Sequence, residues 1–141
     1  MTEQKTINHS DGSGDSDVEY YPFPTKTSLP FSAAVRVGNV LYLSGQMGTD
    51  ETLKIVDGGI EAETRQTFLN IKNILERHGS SLDRIVKCTV MMADMKEWPA
   101  MNAIYVQHFP LHLPARSAFG ASSLALGGRV EIECIATTDE R

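Results

Sequence analysis

The chain contains no apolar stretch near the ~18 consecutive residues that a membrane-spanning helix needs, so no membrane partner is expected. Residues 1–17 are polar and acidic, whereas a secretory signal would be basic and then apolar, which points to a cytoplasmic protein. Basic residues are also scarce: 13 Lys and Arg stand against 18 Asp and Glu, a formal charge of -5. Such a field repels polyanions, so nucleic acid is not expected as a partner. Cysteine is nearly absent. Cys88 and Cys134 each sit in an apolar, strand-like run with no CxxC spacing, which predicts two buried reduced thiols rather than a redox or metal site. Among the 4 histidines, His108 and His112 are separated by Pro110, which breaks the helix that could align them on one face. No metal is predicted.

A chain of 141 residues, 41% of them apolar, is enough for one domain with its own core. Residues 1–20, with the segment HSDGSGDSD, read as a disordered acidic tail, and residues 21–141 as the single domain. Residues 33–37 and 40–44 are β-prone runs joined by Gly38 and Asn39, a pair suited to a two-residue hairpin with positive φ at its first position. A polar connection leads to Ile60, Phe68, Ile71, Ile74 and Leu75, which fit a helical period that should end at Gly79. Residues 85–92 read as a strand within the sheet. Pro99 opens a second helix whose stripe of Met101, Ile104, Tyr105 and Phe109 reads as ordinary core and stops before Pro110. Strands over 115–119 and 129–137 complete the order ββαβαββ. The class is α+β, a mixed sheet with the two helices on one face and the other face left for water or a second subunit.

The last strand alternates. Val130, Ile132, Cys134 and Ala136 suit the helix layer, while Glu131, Glu133, Ile135 and Thr137 project the other way and suit a wet, subunit-lined cleft. Arg116 follows Pro114 among the small residues Ala115, Ser117 and Ala118. Its planar fork is the side chain one would choose to clamp a carboxylate, although on the residues alone a cross-strand ion pair with Glu131 or Glu133, a common arrangement, is the favoured account.

The segments PFSAAVRVGNVLYLSGQ, EAETRQTFLNIKNILE, SLDRIVKCTVMMADM, MNAIY, PARS and RVEIECIA follow one another over residues 30–136. In order and spacing they resemble the RidA/YjgF family of enamine and imine deaminases. The resemblance implies a chorismate-mutase-like fold and a homotrimer with an active cleft at each subunit interface. It implies hydrolysis of reactive 2-imino acids, such as the tautomer of 2-aminoacrylate, to 2-keto acids and ammonia, without a cofactor. Matched position by position, Arg116 becomes the carboxylate-binding arginine and Glu131 the residue that positions the hydrolytic water. Ser44 and Asn102 fall around the substrate, where their bland readings are a strand-end hydrogen bond and a helix-surface polar group. Phe31 and Ala118 stand where the family's deaminases commonly have tyrosine and cysteine, so a hydroxyl and a thiol are missing from the substrate-lining positions. The rival reading is a non-catalytic module or metabolic sensor that binds a keto acid or similar small carboxylate. An endoribonuclease, proposed for some relatives, ranks last on charge.

Overall fold

A two-residue turn sets the geometry of the first half of the sheet. Gly38 has φ +58°, a conformation that an L side chain rarely adopts, and it lets β3 (Ala34–Val37) fold directly back into β4 (Val40–Leu43). In this computed structural model, residues 8–9, 18–25 and 28–139 are described. The remaining strands are β1 (Asn8–His9), β2 (Val18–Tyr21), β5 (Gln46–Met47), β6 (Ile85–Met92), β7 (Ala115–Gly120) and β8 (Val130–Thr137). They form one sheet in the order β1-β2-β3-β4-β8-β6-β7, with β5 paired to β8 beyond the end of β4. All neighbours run antiparallel except β6 and β7, whose parallel pairing requires the long crossover that the second helix supplies.

The strand β2 corrects the reading of residues 1–20 as a disordered tail. Its sequence VEYY combines a β-branched residue with two aromatics, and it pairs in register with β3 from Val18 opposite Val37 to Tyr21 opposite Ala34. Asn8 and His9 pair in turn with β2. The rest of the expected tail, residues 1–7 and 10–17, lies outside the described residues.

Helix α1 (Gly59–Arg77) follows the predicted period, with Ile60, Phe68, Ile71, Ile74 and Leu75 all buried. It ends where glycine allows: Gly79 has φ +79°, and the N–H groups of His78 and Ser80 both donate to the Leu75 carbonyl, at 3.1 and 2.9 Å. Helix α2 (Trp98–Tyr105) has Pro99 in its first turn and is prolonged by a 3-10 turn (Val106–His108). Phe68 locks the two helices together, with its ring 5.6 Å from both Tyr105 and Phe109 and stacked at 4.4 Å on His108. Both hydroxyls buried on α1 are satisfied within it, Thr64 on the Ile60 carbonyl and Thr67 on the Glu63 carbonyl, each at 2.7 Å.

The helices cover one face of the sheet. On it lie Leu41, Leu43, Cys88, Val90, Met92, Val130, Ile132, Cys134 and Ala136, all buried. On the other face Val37, Tyr42 and Phe119 are 42%, 47% and 49% exposed. Among the described residues, no helix is long and apolar enough to cross a membrane.

Backbone and helix approach each other closely at Gly48. A Cβ there would stand 2.6 Å from the Glu63 carbonyl oxygen and 2.7 Å from its Cα, both fixed parts of α1. Gly48→Ala is therefore expected to lower stability by about 1–3 kcal/mol, read as a drop in the urea midpoint at unchanged slope. Gly38→Ala, where nothing lies within 4 Å of the added Cβ, should cost only the strain of its positive φ.

Candidate active site

The candidate residues gather into two groups rather than one. The first is built on α2 and β7. Trp98, Asn102 and Tyr105 are spaced four and three apart, so they share one face of α2, and Arg116 reaches that face from the edge strand. Its Nη1 donates to Asn102 Oδ1 at 2.7 Å, and its Cζ lies 4.7 Å from the centre of the Tyr105 ring and 5.5 Å from that of Trp98. Both rings are within the ~6 Å reach of a cation–π contact. Among the described residues no carboxylate pairs with Arg116. Ala118, two residues along β7, points to the same side and packs against the core.

The second group lies where β4 gives way to β5. Ser44 Oγ donates to the Ser32 carbonyl at 2.6 Å, and the Ser44 N–H donates to the Ala33 carbonyl at 3.0 Å, so the hydroxyl makes the strand-end bond of its bland reading. Phe31, next to Ser32, is 45% exposed and meets Phe23 edge-on at 5.6 Å. Gly45 follows Ser44, and a Cβ on it would collide with the Glu131 carboxylate, so glycine is what lets that carboxylate lie against the strand crossing. Gln46 is buried and donates to the Ser44 carbonyl at 3.2 Å.

Sheet register decides how the groups relate. Arg116 is the partner of Cys88, and Cys88 is the partner of Cys134, so these three side chains share the helix-covered face. Glu131 is the partner of Met91, three residues from Cys88, and therefore projects from the opposite face, the one that also carries Phe119. Two strand spacings, roughly 10 Å, also separate β7 from β8. The alternative of an ion pair between Arg116 and Glu131 or Glu133 is thereby replaced: Arg116 leans on an amide and two rings, and the glutamates face away from it. One chain brings Arg116 to Asn102, and Glu131 to the Ser44–Gly45 crossing, but it does not bring Arg116 to Glu131.

Electrostatics mark the second group. Burial raises the pKa of Glu131 above its ordinary value of 4.5, and the charge of Glu133 on the same face raises it further. Beneath Arg116, the Cys88 and Cys134 sulfurs are 3.4 Å apart, and that contact together with burial keeps the Cys134 thiol protonated. Tyr105 is likewise held neutral, by burial first and the adjacent Cys88 second.

Two hollows lie elsewhere. One of about 190 Å³ opens on the uncovered face between Tyr42, Lys87, Thr89, Glu133 and Ile135. Another of about 780 Å³ runs between Phe23, Asp50, Leu53 and the α1 residues Asn70 and Asn73. Neither is lined by Arg116 or Glu131. Among the described residues no group of three or more His, Cys, Asp or Glu side chains could hold a metal. Sequence reasoning missed Trp98 and assigned Tyr105 to core packing. The signal was the polar Asn102 between them on the same helical face.

A sequence model of the family described as Endoribonuclease L-PSP matches residues 24–138. Protein MMF1, mitochondrial, of Saccharomyces cerevisiae is 43% identical over 119 residues, 82% of this chain and 82% of its own. A 2-iminobutanoate/2-iminopropanoate deaminase of Capra hircus is 43% identical over 108 residues, 76% of this chain and 79% of its own. The crystal structure of yeast Mmf1 matches with a TM-score of 0.77 at 40% identity, covering 85% of this chain and 94% of that one. The mixed sheet with two helices is the fold these proteins share.

The two causes of the Glu131 shift can be separated. Glu133→Gln removes the second and leaves burial, so the Glu131 titration should move to lower pH yet stay above 4.5, as carboxyl carbon NMR would record. A carboxyl protonated more easily in the folded state adds stability that is complete below its unfolded pKa and is lost as pH rises through the folded one. The variant should therefore lose that increment at a lower pH than the parent.

Proposed function

Because the chain belongs to the family described as Endoribonuclease L-PSP, the RidA/YjgF family of imine and enamine deaminases, we propose that it hydrolyses 2-imino acids to 2-keto acids and ammonia, in clefts shared between neighbouring subunits of a homotrimer. The observation that carries this reading is the state of Arg116: a guanidinium held in place by Asn102 and two rings, with no carboxylate partner among the described residues. Its unused N–H edge is a receptor for the substrate carboxylate.

The opposite placement of Glu131 supports the shared cleft. Arg116 of one chain and Glu131 of the next complete a site that a single chain leaves in halves, and the apolar residues exposed on the uncovered face, Val37, Tyr42 and Phe119, supply the contact area. Arg116 fixes the carboxylate and thereby places the C=N carbon before a water on Glu131. The water oxygen bonds to the carbon of the protonated imine while Glu131 takes one of its protons and the C=N π pair moves to nitrogen, giving a neutral carbinolamine. Glu131 returns the proton to nitrogen, the C–N bond breaks, the hydroxyl loses its proton, and the keto acid and ammonia leave. Burial suits Glu131 to this exchange, because a raised pKa brings the carboxylate closer to the range in which it both accepts and returns a proton. Phe31 and Ala118 give the lining apolar surface without a hydroxyl or thiol, and Ser44 serves through its backbone position. A keto-acid-binding sensor would use the same arginine without turnover. Cleavage of RNA is disfavoured by the net charge of -5 and by the carboxylates Glu131 and Glu133 on the uncovered face. Family membership does not fix a compartment, since one relative is named as mitochondrial.

The two roles predict different failures. Arg116→Lys should weaken 2-keto acid binding about tenfold or more, because lysine lacks the bidentate fork. Glu131→Gln should still bind the keto acid while ammonia release falls by about 10² or more. Unfolded together and refolded as an equal mixture, the two variants should regain about a quarter of wild-type clefts if trimers form at random and each cleft draws on two chains. No recovery in mixed trimers would place both residues of a working site in one chain. Turnover by Glu131→Gln at the wild-type rate would remove it from the chemistry and favour the sensor.

A further inference from the structure

We propose that Trp98 is a positioning residue for carboxylate capture, one that stabilises the Arg116 guanidinium through its ring face and so leaves the donor edge free for substrate. This rests on the reading of Arg116 as the carboxylate receptor. A guanidinium has five N–H donors in a rigid fork, and a carboxylate partner inside the protein would occupy the edge that a substrate needs. Here the charge is balanced differently. Trp98 and Tyr105 offer the negative faces of their π systems at 5.5 and 4.7 Å, and Asn102 takes one N–H of Nη1 at 2.7 Å. The Nε and Nη2 donors have no partner among the described residues.

The three holders come from one helix face and divide the task. Asn102 fixes rotation in the guanidinium plane, and Tyr105, only 4% exposed, forms the buried wall. Among the described residues the Tyr105 hydroxyl has no oxygen or nitrogen partner, and it lies against Cys88, so what this residue brings to Arg116 is its ring. Trp98 is half-buried at the start of α2, where Pro99 fixes the backbone of the first turn, and its indole forms the wall nearer to solvent. An arginine on an edge strand without that wall would exchange rotamers freely and would have to be ordered at each binding event.

Trp98 is the only tryptophan of the chain, so biosynthetic replacement by mono-, di- and trifluorotryptophan alters this ring alone. Each fluorine draws charge from the ring face while hardly changing its shape. The measurements are calorimetric affinity for 2-oxobutanoate and the kinetics of ammonia release from freshly generated 2-iminobutanoate, on the assembled full-length protein. The expected result is a stepwise rise in Kd and KM with fluorine number, with kcat within about twofold. Trp98→Leu should show the full loss, roughly 3- to 30-fold in Kd and KM, and Trp98→Phe should recover most of it. A Kd that stays flat along the fluorinated series would overturn the proposal and return Trp98 to core packing, as would a loss confined to kcat. If Arg116→Lys bound 2-oxobutanoate normally, the receptor reading itself would fall, and the proposal with it. Weakened binding by that variant beside a flat fluorinated series would instead spare the receptor and remove only the role of Trp98.

Discussion

Strand β8 hydrogen-bonds to β4 and β5 along one edge and to β6 along the other, so its backbone has no freedom to slip and each of its side chains is committed to one of two faces. Val130, Ile132, Cys134 and Ala136 enter the core under the helices, and that burial holds the strand in register. A shift of one residue would drive Glu131 and Glu133 into an apolar layer, where an unpaired carboxylate costs several kcal/mol. The same constraint that closes the core therefore presents Glu131 on the uncovered face, desolvated enough for its pKa to rise.

The start of β8 is fixed by charge as well as by pairing. Glu63, 3% exposed on α1, accepts the Arg129 backbone N–H at 2.8 Å and pairs with its Nε at 3.5 Å, while Arg129 Nη1 bonds both carboxylate oxygens of Glu97 at 3.0 Å. A buried carboxylate is tolerable because it meets a cation and a backbone donor together. These bonds tie α1, the turn before α2 and the residue that leads into the strand to one another two residues ahead of Glu131. The exposed partner of Glu97 adds little stability by itself. Its geometric effect is to register the elements that carry the two groups of candidate residues.

Much of this was legible in the sequence. The alternation of residues 130–137 gave the two faces of β8, the Gly38-Asn39 pair gave the hairpin, and Gly79 gave the end of α1, because each depends on local chemistry. The strand Val18–Tyr21 was hidden by the acidic segment before it, since composition averages over a window and four β-prone residues do not outweigh a long polar stretch. The arrangement around Arg116 was hidden for another reason. Ring faces that balance a cation have the same helical spacing as ring faces that fill a core, and only the register of β7 against β6 tells on which side the guanidinium emerges. Arg116 and Glu131 were identified as a pair by family resemblance, whereas the sheet between them comes from pairings 28 to 51 positions apart in the chain, which no short motif encodes.

The division of the candidate residues between two faces has an evolutionary side. Arg116, Asn102, Trp98 and Ala118 sit on α2 and β7, whereas Ser44, Gly45 and Glu131 sit on the β4–β5 crossing and β8, with no side-chain contact between the sets in one chain. Substitutions that reshape the arginine surface leave the packing around the glutamate untouched, and the converse holds equally. A lineage could thus reshape the surface around Arg116, through residues such as Ala118, while the surface around Glu131 drifts under its own constraints. Modularity of this kind, arising from the two sides of one sheet, offers a simple route by which a small scaffold diversifies its ligands without rebuilding its core.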